Sequence, residues 1–391
     1  MTKFQRIALF FLLFCTMLTC GIIENYKGVS FPLIKTEFNA SWEQQGLMVS
    51  LLSLSYVIFS IIGGIFLGRF GIKPSFLFGL AALSTGLVSL YFMPSFFTAA
   101  VSLFLMFAGF GFFEIGVNAL ASRVFVKKAV MLMNMLHGFY GIGAIIGPKA
   151  AGLLTNNAGL GWRLVYLLSL PLALLLFFPA IISKFPEGKT DSGATETAKN
   201  INFFDALRTP MVWLMAITLG LGMIVEMSSP NWGSLYFQDM YGLDPRTSGA
   251  AFLSVFFICF TVSRLVCGIF LERIGYMRSL TGLAVIIFAI FISGFCLGAR
   301  GIYVLPVLGF FIGPLWPTII TTANLHFGKN APVMSSAIIA IGGTLNSVVQ
   351  LLVGLTNRFF GPAWGYRSSL VYIVLFFAVL IILDKKLKRK A

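Results

Sequence analysis

Twelve apolar stretches of about 20 residues or more, parted by short polar breaks, run the length of the chain. Such a stretch is what a helix needs to cross roughly 30 Å of hydrocarbon at about 1.5 Å per residue. They lie near 6–35, 44–68, 74–93, 97–121, 130–154, 163–183, 210–232, 248–270, 280–298, 302–324, 331–356 and 368–384. With 58% hydrophobic and 10% charged residues, the chain has too little polar side chain to cover a water-soluble globule of its size. The stretches are uniformly apolar rather than alternating, which excludes barrel strands of about 10 residues. The expected fold is therefore an all-α membrane protein with twelve transmembrane helices.

The chain also repeats itself. Gly64-Ile-Phe-Leu-Gly-Arg69-Phe-Gly71 returns 204 residues later as Gly268-Ile-Phe-Leu-Glu272-Arg273-Ile-Gly275, and each copy sits where an apolar run breaks into a short basic turn. A membrane-embedded duplication is a sequence mark of transporters, in which two similar parts rock about a site between them. The expected organisation is a first six-helix half over 1–183, a cytoplasmic linker over 184–209 and a second six-helix half over 210–391. The linker contains Pro186-Glu-Gly-Lys-Thr-Asp-Ser-Gly, the one long polar break.

A net charge of +15 invites a nucleic-acid reading, but the basic residues follow alternate loops. With the N-terminus placed inside, 19 of the 28 Lys and Arg fall on one face, from Lys3 and Arg6 through Arg123 to the tail at Lys385 to Lys390. That bias puts both termini in the cytoplasm of a cell (plasma) membrane protein. The first stretch has no small-residue cleavage site and is expected to be a retained helix. Cys15, Cys20, Cys259, Cys267 and Cys296 all lie in apolar runs and suggest neither disulfides nor a metal site. No GxxxxGK[ST] phosphate loop is present, so transport driven by ATP within this chain is not expected. The short loops leave no room for soluble enzyme chemistry, and no cofactor is expected.

Six plus six spans, a central polar loop and the G-x-x-x-[DE]-R-x-G-x-x-[RK] turn after spans two and eight resemble the major facilitator superfamily. The first copy departs from that turn: Gly68 stands at the acidic position and Lys73 comes one place early. The resemblance implies a cytoplasmic gate built on Gly64, Arg69, Gly71, Gly268, Glu272, Arg273 and Gly275, weaker in its first half. Within the superfamily, Gly111-Phe-Phe-Glu114-Ile-Gly-Val-Asn118 and Asn134-Met-Leu-His137-Gly-Phe-Tyr140 resemble the fucose and glucose proton-symporter branch. The likeness implies proton coupling through the acid of span four and a sugar site on span five, where His137 replaces the branch's glutamine. On span one the branch's coupling acid falls at Gly28, with Glu24 one turn earlier.

Apart from the resemblance, a carboxylate in a membrane span costs about 2.5–3.5 kcal/mol or more and is a functional candidate by default. Glu24, Glu114 and Glu226 are the three candidates, with His137 as a possible relay. Glu114 and Asn118, four apart, share one helical face. Glu24 can instead pair with Lys27, one turn on. Glu226 can instead merely hydrogen-bond across the interface between the halves. His137 can be satisfied by a backbone carbonyl. Candidate substrate contacts are Asn118, Asn134, His137 and Tyr140 from the first half, with Asn231, Trp232, Trp316, Asn324, Asn346 and Gln350 from the second. Each amide can equally be a helix-packing bond. Lys149 and Arg264 are read as snorkelling residues with structural roles.

The expected function is proton-coupled symport of a sugar or similar small polar solute. The protein would work as a monomer in the lipid bilayer, with protons and a small-molecule substrate as partners and no nucleic acid. Gly143-x-x-x-Gly147-Pro148-x-x-x-Gly152 partly resembles a drug–proton antiporter signature, which makes efflux by antiport the alternative. A lipid flippase or a non-transporting sensor stands behind both.

Overall fold

In the computed structural model, which describes residues 3–125, 129–186 and 203–388, the described chain is helical and contains no strand. Eleven helical runs are long and apolar enough to cross a membrane. They are α1 Gln5–Glu37, α2 Trp42–Phe70, α3 Ile72–Phe92, α4 Phe96–Val124, α6 Trp162–Ile182, α7 Pro210–Tyr241, α8 Pro245–Gly268, α9 Tyr276–Cys296, α10 Gly298–Asn330, α11 Val333–Phe360 and α12 Trp364–Lys388. The 28-residue helix Ala129–Asn156, α5, takes the remaining place. The linker residues 187–202 and the basic positions 127, 128, 389 and 390 lie outside the described residues.

The repeated turn has a plain stereochemical reason. Gly71 and Gly275, 204 positions apart, both have positive φ, at 88° and 94°, at the joints before α3 and α9. A side chain at either position would be strained, so the last glycine of each copy is the residue that lets two spans meet in a tight corner. Lys73, the displaced basic residue, donates to the backbone oxygens of Ile181 and Ser183 at the end of α6. Among the described residues, Glu272 and Arg273 make no ion pair and both are exposed.

The chain forms two compact units. The first comprises Met1–Ser41, Leu51–Asp191 and Asp244–Ser254; the second comprises Trp42–Ser50, Ser192–Leu243 and Val255–Ala391. In the first unit α1 lies against α5, and α3 against α4. Small residues set these distances: a Cβ on Gly21 would overlap Tyr140 O, and one on Gly143 would overlap Leu18 O. With no large driving force from water inside a bilayer, such backbone-to-backbone approach is how membrane helices gain van der Waals contact. Leu9, Leu13, Phe76, Leu80, Leu103 and Met106 fill the rest of this core. In the second unit α7 lies on α11 and α12, with Val212, Leu219, Phe291 and Phe376 buried. There Gly46 faces Gly354, and Glu43 pairs with Arg358 at 2.8 Å.

A second repeat becomes visible from the structure. Gly161-Trp162-Arg163 and Gly365-Tyr366-Arg367 share the 204-residue offset and open α6 and α12. Arg163 pairs with Glu37 and also donates to Met93 O. Arg367 instead donates to the Tyr236 hydroxyl at 3.3 Å and lies 5.8 Å from that ring's centroid. Nearby, serine–tyrosine bonds tie the first and last spans of each unit: Ser30 to Tyr166 at 2.9 Å and Ser229 to Tyr366 at 2.7 Å.

Candidate functional site

Both units interrupt a helix beside a carboxylate, half-buried at Glu24 and buried at Glu226. In α1 the regular helix stops at Asn25 and resumes at Lys27, with a turn at Tyr26. Pro32 follows, and because it has no N–H it cannot donate to the carbonyl of Gly28 four residues back. In α7 residues Ser229–Gly233 widen into a π-turn containing Pro230, which likewise cannot donate to the carbonyl of Glu226. The proline therefore does not end α7, and the span continues to Tyr241, past the expected stop near residue 232. Glu24 and Glu226 thus stand one turn or less before an irregular segment in their respective units.

The first-unit cluster gathers side chains from four spans. Glu24 accepts a hydrogen bond from the Tyr140 hydroxyl at 2.7 Å on one oxygen, and Lys27 Nζ lies 3.4 Å from the other. The Lys27 ammonium also lies 5.7 Å from the Phe107 ring centroid, and the residue is buried. Asn25 bonds Gly21 O at 2.9 Å and reaches the Tyr140 hydroxyl as well. On α4, Asn118 Nδ2 donates to Glu114 Oε1 at 3.0 Å, so the four-residue spacing does place the two side chains together. Tyr56 of α2 donates its hydroxyl proton to Glu114. The carboxylates of Glu24 and Glu114 both lie close enough to act electrostatically on Cys20 and Tyr56. A pair of carboxylates held by phenols and an amide in an apolar setting can exchange protons without the large cost of an unpaired charge.

His137 lies on α5, three residues before Tyr140, and is exposed. The side chain of Asn134 lies outside the described residues. Tyr56 and Asn25 were absent from the expected site. A phenol in an otherwise apolar span was the available signal for Tyr56, since a buried hydroxyl seeks a partner.

The second-unit candidates form separate groups. Trp232, two residues after Pro230, donates its indole N–H to Gln350 Oε1 at 2.7 Å, and Gln350 Nε2 donates to Asn346 Oδ1 at 3.0 Å. All three are buried, as is Asn231. Asn324 is exposed and accepts from the Ser335 hydroxyl at 2.8 Å; Trp316 is half-buried. Glu226 is buried and faces Arg264 Nη2 at 3.5 Å. Arg264, read from the sequence as a snorkelling residue, lies four residues before Gly268, where the apolar span ends, and ten before Ile274, where the helix stops; its contacts are with Glu226 and Gly313. Among the described residues no group of three or more His, Cys, Asp and Glu can hold a metal ion.

The profile of the Major Facilitator Superfamily matches residues 9–351. The chain belongs to the Major Facilitator Superfamily. It is a multi-pass membrane transporter and not an enzyme, in agreement with the expected fold and class. Across all of its length it is 22% identical to the whole of a TsgA homolog of Buchnera aphidicola subsp. Acyrthosiphon pisum (strain 5A). It is 25% identical to the cis,cis-muconate transport protein of Acinetobacter baylyi, over 92% of this chain and 87% of that one. The solved E. coli fucose:proton symporter FucP superposes with a TM-score of 0.65 at 19% identity, covering 97% of this chain and 98% of that chain. The superfamily resemblance and that to its fucose-symporter branch, read from the turn motif and from spans four and five, thus agree with these comparisons.

Proposed function

We propose that the chain is a secondary active transporter that moves a sugar or similar small polar solute together with protons by alternating access. The observation that carries this reading is the first-unit cluster, in which Glu114 is held by Asn118 and Tyr56, and Glu24 by Tyr140 and Lys27. Glu114 is the main proton carrier, with neutral partners in Asn118 and Tyr56 that can accommodate either protonation state, and Glu24, which also faces the Lys27 ammonium, assists. Asn118, His137 and Tyr140 from the first unit, and Asn231, Trp232, Trp316, Asn324, Asn346 and Gln350 from the second, supply polar contacts for the solute. The likeness to a fucose:proton symporter and to a muconate transport protein supports a small polar cargo. The protein works as a monomer in the plasma membrane with both termini cytoplasmic. Gly64, Arg69, Gly71, Gly268, Glu272, Arg273 and Gly275 form its cytoplasmic gate.

Antiport efflux has less support, because Gly143, Gly147 and Gly152 have another use. A Cβ on Gly143 or Gly147 would overlap the backbone of α1 at Leu18 or Ile22, and one on Gly152 would overlap Arg246 O. Close helix packing accounts for the motif. The test is uptake into proteoliposomes under an imposed pH gradient, screened across hexoses, pentoses and hydrophobic cations. Glu114→Gln imitates the protonated acid, so gradient-driven accumulation is expected to vanish while counterflow exchange persists. Full accumulation by Glu114→Gln overturns the assignment, and accumulation of hydrophobic cations inside the vesicles driven by outward proton flow favours antiport.

A further inference from the structure

Arg264 is a permanent cation within an apolar span. It lies ten residues from the end of its helix at Ile274, about 15 Å at 1.5 Å per residue. Three contacts fix it. Its Nε donates to Gly313 O at 3.2 Å, its guanidinium carbon lies 4.2 Å from the Phe260 ring centroid, and its Nη2 lies 3.5 Å from Glu226 Oε1. The Gly313 carbonyl is available for a reason written in the sequence. Its usual helical partner would be the N–H four residues later, and that residue is Pro317. The proline thus supplies an acceptor that orients the guanidinium, while the Phe260 face holds its plane.

This arrangement is unlike a pair made only for neutrality. The Glu226 side chain is 10% exposed but that of Arg264 is 35% exposed, and their separation exceeds a normal charged hydrogen bond. Among the described residues no hydrogen bond occupies Nη1 of Arg264. A guanidinium open by a third within a span would be strongly disfavoured against hydrocarbon, a cost that water or an anion on its open side offsets. Guanidinium presents parallel N–H donors that match a carboxylate bidentately. In the first unit, by contrast, Lys27 is 8% exposed at its side chain and closed in by Glu24 and Phe107.

We infer that Arg264 recognises an anionic solute through its carboxylate, with Glu226 as the resident counter-anion that the solute partly displaces. The inference rests on the proposed transport of a small polar solute and narrows that solute to an organic acid, such as a sugar acid. Glu226 is then a positioning residue and a competitor: when it is neutral, the guanidinium is free to engage the incoming carboxylate.

The test uses the full chain in lipid nanodiscs and matched probe pairs that differ in the carboxylate: glucose with glucuronate, galactose with galacturonate, and glycerol with glycerate. Binding is read by calorimetry and by the shift in Tm. At least one carboxylate probe is expected to bind ten-fold or more tighter than its neutral partner. Arg264→Gln should remove that preference, Arg264→Lys should retain part of it, and Glu226→Gln should tighten binding several-fold. Because Arg264→Gln leaves Glu226 without this partner, the double variant Arg264→Gln with Glu226→Gln, in which both side chains are uncharged, is measured beside it. Neutral probes binding as tightly as the acids overturn the inference. So does no binding by any of the three acids, or acid binding unchanged in the folded double variant. A pH-sensitive dye inside proteoliposomes separates this inference from its basis. Arg264-dependent uptake of an acid without proton movement sinks the proton symport and leaves the inference standing. Proton-linked uptake of a neutral sugar, indifferent to Arg264, does the reverse.

Discussion

The Tyr140 hydroxyl donates to Glu24 Oε2 at 2.7 Å, joining residues 116 positions apart on α5 and α1. The same two helices touch backbone to backbone at Gly21 and Gly143, so the bond forms where the spans approach most closely. Tyr140→Phe keeps the ring and removes the donor. Thermal unfolding in detergent is expected to show a loss of about 1.5–3 kcal/mol, the range for a hydrogen bond to a charged group. An unchanged Tm would mean that Lys27 alone satisfies Glu24.

The glycine seam allows a sharper comparison. Gly143→Ala places a methyl group on Leu18 O and must push α1 from α5, whereas Gly138, on the same helix, has nothing within 4 Å of its would-be Cβ. Gly143→Ala should lower Tm and membrane yield, by about 1–3 kcal/mol as for other overpacked sites, and Gly138→Ala should do neither. Equal tolerance of both substitutions would remove the seam from the account of this unit.

Trp232, Gln350 and Asn346 form a chain of donors and acceptors that links α7 to α11. Trp232→Phe leaves Gln350 Oε1 without its indole donor, at an expected cost of about 1–3 kcal/mol in stability. Gln350→Ala breaks both links. If the amides also touch the solute, Gln350→Ala should weaken affinity by a similar amount, measured by calorimetry on the folded variant. Lower thermal stability with unaltered affinity would assign the chain to helix packing alone.

Topology is open to direct labelling. With both termini inside, Asp191 of the linker and Asp239 near the end of α7 fall on opposite faces of the membrane. Single cysteines placed there, in a background lacking the five native ones, should react with an impermeant maleimide from opposite sides. Labelling of both from one side would reverse the reading.

The spans could be read from the sequence because bilayer thickness fixes the length of an apolar helix, whatever its neighbours are. The Glu114–Asn118 and Glu24–Lys27 contacts could be read too, since spacings of four and three bring side chains onto one helical face. What lay beyond reach was contact between spans. Nothing in the neighbourhood of Glu226 announces Arg264, 38 positions away. Pro230 illustrates the same gap: its missing N–H was evident, but whether the helix would end, kink or widen into a π-turn depended on the packing around it.

Arg163 and Arg367 hold the same place in the duplicated sequence but have drifted to partners of different kinds, a carboxylate in one copy and a phenol in the other. Dissolved ions compete with a partly exposed charge pair and have far less purchase on a bond to a neutral hydroxyl. Ionic strength is therefore a lever on the corner at α6 that leaves its counterpart at α12 almost untouched, so two segments descended from one ancestral unit now differ in their response to the electrolyte that bathes them.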